Sequence, residues 1–197
     1  MDDSRYKNNY AKAELRSSVR KAKHAFINST ALPERHSLSE QILGRVEQLP
    51  QFREAGTVLA YYSLADELFT HDFVQRWADK KAILLPKVVG DDLTLHRYTN
   101  AMSMSEGAFG IMEPCTPEFT DYAAIDLVIV PGVAFDCEGH RLGRGRGYYD
   151  RLFASRLPHN IYKVGVCYPF QLVESVPTEP CDVRMNMVIS AKYPCAD

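Results

Sequence analysis

Two hydrophobic periods alternate along the chain, and the changeovers between them mark its elements. From Ala11 the apolar residues Leu15, Val19, Ala22 and Phe26 recur at intervals of four, three and four, which predicts one buried stripe of a helix. Residues 1–10 are polar and read as a frayed end. Leu32-Pro33-Glu34 opens a second helix, with Leu38, Ile42, Val46 and Leu49 as its buried face and Pro50 as its stop. Thr57–Tyr62 is β-branched and aromatic and predicts a strand, after which Thr70 is the expected N-cap of a helix carrying Phe73, Val74 and Trp77. Ala82–Lys87, ended by Pro86, and the alternating Leu93–Tyr98 predict two further strands, with His96 on a solvent face. Asp126–Val130 is a short apolar run of the kind buried on both faces, and Tyr162–Cys167 and Met187–Ser190 are the last two strands expected. Strands alternating with helices throughout predict a single α/β domain over 1–197, a three-layer sandwich with a mostly parallel central sheet and helices on both faces.

Composition narrows the function classes. A net charge of −2 gives no general affinity for nucleic acid. The charge is uneven: residues 1–24 hold seven basic and three acidic side chains, so the remainder is acidic. Lys12, Arg16, Arg20 and Lys23 form a basic stripe beside the apolar one, and such a stripe is ordinarily a solvated helix edge. The five cysteines include no C-x-x-C pair, which argues against a zinc knuckle or a thioredoxin-like site. The polar N-terminus lacks an apolar signal region, and no apolar run approaches the roughly 20 residues that span a bilayer. The expectation is a reduced, cytoplasmic protein without a membrane or nucleic-acid partner, a monomer or weak homodimer.

The chemistry concentrates between Asp126 and Leu157. Pro131-Gly132 stops the buried strand, and Gly143, Gly145 and Gly147 then alternate with Arg144 and Arg146 before an aromatic helix opens at Tyr148. Strand, glycine-rich loop and helix start bring free backbone N–H groups to bear on an anion, and two guanidiniums add permanent charge. A polyphosphate site is the physical reading. The pattern matches neither the P-loop nor the dinucleotide fingerprint. A solvated surface loop and an Arg-Gly segment for RNA are the alternatives that the residues alone leave open.

The run Pro131-Gly132-Val133-Ala134-Phe135-Asp136, followed by Gly139 through Arg151 (GHRLGRGRGYYDR), resembles the signature of the 5-formyltetrahydrofolate cyclo-ligase family, also called 5,10-methenyltetrahydrofolate synthetases. Weaker resemblance extends from Lys12 to Ile189. It implies an enzyme that uses ATP and Mg²⁺ to close 5-formyltetrahydrofolate to 5,10-methenyltetrahydrofolate, with reduced folate and ATP as its small-molecule partners. By the same resemblance ATP is held by Lys12, Arg16 and the loop from Arg141 through Leu142, Gly143, Arg144, Gly145, Arg146, Gly147 and Tyr148 to Tyr149. Arg144 and Arg146 steady the transferring phosphoryl group. Folate is contacted by Tyr62, Glu67, Phe109 and the loop from Arg144, Gly145, Arg146 and Gly147 to Tyr148 and Tyr149. Asp150 is the implied Mg²⁺ ligand, and Asn186 stands where many members carry a second acid, so its share in the metal site is reduced to a carbonyl oxygen. Tyr62 and Glu67 also follow from position alone, since residues at the carboxyl end of a strand face the crevice of an α/β sheet. A related α/β enzyme acting on another small molecule and an RNA-binding module are the rival functions.

Overall fold

The computed structural model describes residues 3–107, 112–191 and 194–195. Its helices are α1 (Asp3–Ser29), α2 (Leu32–Gln48), α3 (Pro50–Glu54), α4 (His71–Trp77) and α5 (Tyr148–Ser155). The main sheet uses β1 (Thr57–Leu59), β2 (Ala82–Val89), β3 (Asp92–Tyr98), β6 (Leu127–Val130), β9 (Tyr162–Val166), β10 (Met187–Ile189) and β11 (Pro194–Cys195). Two small hairpins complete the set: β4 (Met104–Glu106) with β5 (Met112–Pro114), and β7 (Ala134–Phe135) with β8 (Arg141–Leu142).

The seven strands of the sheet run in the order β11-β10-β9-β6-β1-β2-β3. The five inner strands are mutually parallel, and β3 and β11 close the edges antiparallel. β6 lies at the centre, which is why all four of its residues are apolar and buried. Alternation along the strands divides the core in two. Val58, Ile83, Leu127 and Ile129 face Ile42, Phe52 and Phe73 of α2, α3 and α4. Leu59, Leu84, Val128 and Val130 face Leu152 and Phe153 of α5. This is the expected sandwich with a mostly parallel sheet and helices on both faces.

Local departures have physical causes. α1 begins at Asp3 rather than Ala11, so the polar opening of the chain is helical. α2 does close just before Pro50, as expected, and Pro50 itself opens the short α3, where the missing N–H costs nothing. Pro86 lies inside β2 rather than ending it: β1 pairs only with Ala82–Leu84, so beyond Leu84 that edge of β2 needs no donor. Thr70 does precede α4, but its hydroxyl donates to Tyr61 O instead of capping the helix. Cys137 is disulfide-bonded, against the expectation of fully reduced cysteines, while Cys115, Cys167 and Cys181 are free. No helix among the described residues is long and apolar enough to cross a membrane.

Candidate functional site

Carboxyl ends of parallel strands converge where β1, β6 and β9 stop. Two adjoining chambers open there. The inner chamber, about 250 Å³, is walled by Tyr61 beyond β1, Pro131 beyond β6, Val166 of β9, and by Leu68 and Phe170. The loop chamber, about 580 Å³, is walled by the glycine–arginine loop, the start of α5, Lys12 and Asp182. That volume lies in the range of small-molecule sites. Arg16, Glu67 and Arg144 line both.

α1 supplies one side of both chambers because it packs across the strand ends, with Phe26 against the rings of Tyr168 and Phe170. Its basic stripe therefore lines the site, with Lys12 buried, Arg16 and Lys23 half-buried and Arg20 exposed. Lys12 Nζ donates to Asp182 Oδ2 at 2.6 Å and Glu179 Oε2 at 2.9 Å. Burial opposes the charge on Lys12, but the two carboxylates outweigh it and hold its pKa above the ordinary value. Glu179, Cys181 and Asp182 bring three ligand atoms close enough for a cation, a place the Lys12 ammonium fills. Arg16 Nε donates to Gly143 O at 2.9 Å, which pins the guanidinium on the loop.

The loop is shaped by two left-handed residues, Gly145 (φ 96°) and Gly147 (φ 69°), the second being the N-cap of α5. Leu142 is buried beneath it, and Gly143 and Tyr148 share its wall. Arg141 is nearly buried; its Nη2 donates to Asp150 Oδ1 at 2.8 Å and its guanidinium lies over the Tyr149 ring. The Tyr149 hydroxyl is buried with no partner among the described residues, and burial pushes its pKa upward, so it is a phenol with a proton to donate. Arg144 Nη2 donates to Glu67 Oε1 at 2.6 Å and lies 3.7 Å from Asp66. Burial disfavours charge on Asp66, yet its bond to Lys23 and the nearby Arg144 hold its pKa below the usual carboxylate value. The Arg146 side chain is exposed in the loop chamber, and its carbonyl accepts from Arg151 Nη1.

Of the residues singled out by sequence, Lys12, Arg16, Glu67 and Arg141–Asp150 are thus brought together. Tyr62 and Asn186 line neither chamber. Tyr62 stacks on His71 at 3.6 Å and faces Tyr98, while its neighbour Tyr61 forms the chamber wall. Asn186 Oδ1 accepts from Lys163 N, which ties the start of β10 to β9. Phe109 lies outside the described residues. Sequence reasoning missed Tyr61, Phe170, and the pair Arg20 and Lys23, which line the inner chamber. The basic stripe was the available signal for the last two.

Residues 8–191 match the 5-formyltetrahydrofolate cyclo-ligase family. A 5-formyltetrahydrofolate cyclo-ligase of Haemophilus influenzae is 32% identical over 186 residues, covering 90% of this chain and 96% of that protein. The corresponding Escherichia coli K12 protein is 28% identical over 163 residues, covering 80% of this chain and 90% of its own. The solution structure of Aquifex aeolicus 5,10-methenyltetrahydrofolate synthetase superposes with a TM-score of 0.78 at 36% identity, covering 93% of this chain and 91% of that one.

Proposed function

The chain belongs to the 5-formyltetrahydrofolate cyclo-ligase family, and from that membership we propose that it closes 5-formyltetrahydrofolate to 5,10-methenyltetrahydrofolate at the expense of ATP. The observation that carries the reading is the Arg144–Glu67 contact, which joins a cationic loop chamber to an inner chamber walled by apolar and aromatic side chains with charged groups among them. The loop chamber takes the nucleotide, its phosphates held by Lys12, Arg16, Arg144, Arg146 and the N–H groups at the start of α5. The inner chamber takes the reduced pterin against Tyr61 and Phe170, with Glu67 accepting hydrogen bonds from ring N–H groups.

A formamide oxygen is a poor leaving group. It attacks the γ-phosphorus, the bond to the ADP oxygen breaks, and ADP departs. The folate N10 amine then adds to the activated formyl carbon, loses its proton, and expels the oxygen as phosphate. Phosphoryl transfer asks the protein for positioning and charge neutralisation rather than a covalent nucleophile. Arg144 and Arg146 supply the charge, and the unpartnered Tyr149 hydroxyl can donate to the formyl or phosphate oxygen. Holding both substrates at one junction replaces a chance encounter by an oriented one.

Mg²⁺ fits Asp150: one carboxylate oxygen is bound by Arg141, and the other takes no hydrogen bond from a described residue. Asp150 would hold the ion together with phosphate oxygens and water, and the ion would offset charge on the polyphosphate. Asn186 is committed to the β9–β10 backbone and gives that ion no support here. The test is spectroscopic. Purified protein should generate the absorbance of methenyltetrahydrofolate only with both ATP and Mg²⁺, and its absence under those conditions would refute the assignment. Saturable RNA binding with a steep salt dependence and no turnover would favour the RNA-binding rival instead.

A further inference from the structure

Arg144 stands between two carboxylates in the wall of the inner chamber. Its Nη2 donates to Glu67 Oε1 at 2.6 Å, and the same nitrogen lies 3.7 Å from Asp66 Oδ1, an ionic contact without a hydrogen bond. The two acids are anchored from different directions. Glu67 is fixed at its other oxygen, where Oε2 accepts from Leu64 N at 3.0 Å. Asp66 is fixed at Oδ2 by Lys23, which ties it to α1. Each acid thus keeps one oxygen anchored and presents the other to Arg144. Although burial disfavours charge on Asp66, Lys23 and Arg144 hold its pKa below the usual value, so it stays a carboxylate. Arg144 has no further hydrogen-bonding or ionic partner among the described residues, is 54% exposed, and is flanked by Gly143 and Gly145. These two acids are all that holds its guanidinium in place.

We propose that Asp66 is a positioning residue: it takes over Arg144 when the pterin claims Glu67, and so keeps the guanidinium at the junction of the two chambers. This rests on the reading that the inner chamber holds the reduced folate against Glu67. A ring N–H that bonds to Glu67 Oε1 displaces Arg144 Nη2 from that oxygen. Left without a second carboxylate, a half-exposed guanidinium between two glycines swings into solvent, away from the place where phosphate must be met. With Asp66 beside it, a shift of about 1 Å turns the 3.7 Å contact into a charge-assisted hydrogen bond. Opening the Arg144–Glu67 pair is then an exchange of one carboxylate for another, which lowers the cost of admitting the pterin. Lys23 serves the same end, because it keeps Asp66 still while Arg144 moves.

A double-mutant cycle on calorimetric binding of 5-formyltetrahydrofolate, without nucleotide, tests this directly. The four proteins are the native chain, Asp66→Asn, Arg144→Ala and the double variant. Asp66→Asn should weaken binding about threefold, the size of a partly exposed ion pair, and Asp66→Glu should restore part of it. In the Arg144→Ala background the same Asp66→Asn change should have no effect, because the residue it acts through is gone. Unchanged affinity in Asp66→Asn overturns the proposal. An equal loss in both backgrounds also overturns it, since Asp66 would then touch the folate itself or merely brace α1 through Lys23. A native protein that binds no 5-formyltetrahydrofolate sinks the folate reading and the proposal together. The threefold loss confined to proteins with Arg144, seen without any ATP-dependent product, would uphold the role of Asp66 and sink the cyclisation reading alone.

Discussion

Arg144 and Glu67 hold each other at 2.6 Å on the wall common to both chambers, each neutralising the other's charge. Under the proposed function, the γ-phosphate of an arriving nucleotide would compete for Arg144 and so release Glu67 to the pterin. Arg144→Ala should therefore lower kcat by about 10²–10³, the usual cost of removing one preorganised donor to developing charge. The pair is partly solvated and contributes about 0–1 kcal/mol to folding, so the melting temperature should barely move. Trp77→Ala is the opposite case. Trp77 meets Phe52 edge-on and donates to Glu47 Oε1, and truncating it should cost about 3 kcal/mol with no specific loss of chemistry in the protein that stays folded. Rate assays and thermal melts on the two variants check both halves. Retained turnover with a large melting loss in Arg144→Ala would contradict the assigned role.

Lys12 is held between two carboxylates while lining the loop chamber. Lys12→Met leaves Glu179 and Asp182 facing each other without their cation, which should destabilise the protein by about 2 kcal/mol. If Lys12 also meets phosphate, the KM for ATP should rise about tenfold. A lowered denaturation midpoint with an unchanged KM for ATP would mark Lys12 as a structural tie alone.

Gly147 caps α5 at φ 69°, and a Cβ there would stand 2.9 Å from Arg151 Nη1, a side-chain end that can move aside. The left-handed backbone cannot. Gly147→Ala should cost about 1–2 kcal/mol in urea unfolding and raise the KM for ATP as the loop N–H groups lose alignment. An unchanged midpoint would mean that the turn tolerates a Cβ.

His71 makes stability depend on pH. Burial beneath Tyr62 lowers its pKa, against the opposing pull of the Ser63 carbonyl and Asp72. The folded state keeps the ring neutral where the unfolded chain, with an imidazole pKa of about 6.5, takes up a proton. This contribution is present in full above that value and is lost as pH falls towards the folded pKa. The urea midpoint should decrease between about pH 7 and pH 5, and His71→Gln should flatten the slope. Parallel slopes in the two proteins would assign the pH dependence to other groups.

The sheet's inner strands and the loop before α5 were legible because their signals are local: a β-branched run, a Pro-Gly stop, alternating glycines, an aromatic helix start. Tyr62 and Tyr61 show where locality ends. Regular pairing stops at Leu59, so which of two adjacent tyrosines turns into the crevice depends on what packs there, and His71 claims Tyr62. Pro86 misled for the same reason, since a proline's cost depends on whether its N–H would have had a partner. The bonds from Lys12 to Glu179 and Asp182 join opposite ends of the chain and leave no periodic trace. Arg20 and Lys23 were visible as a stripe, but only the docking of α1 over the strand ends decides that the stripe faces a cavity.

That helix contributes nothing to the hydrogen-bonded ladder of the sheet, yet Lys12, Arg16 and Arg20 all ride on it. Under the proposed function, competence and foldedness are therefore separable in this molecule. A lesion that loosens the seat of Phe26 on Tyr168 and Phe170 would leave a well-paired sheet and an idle protein, its three cations withdrawn together.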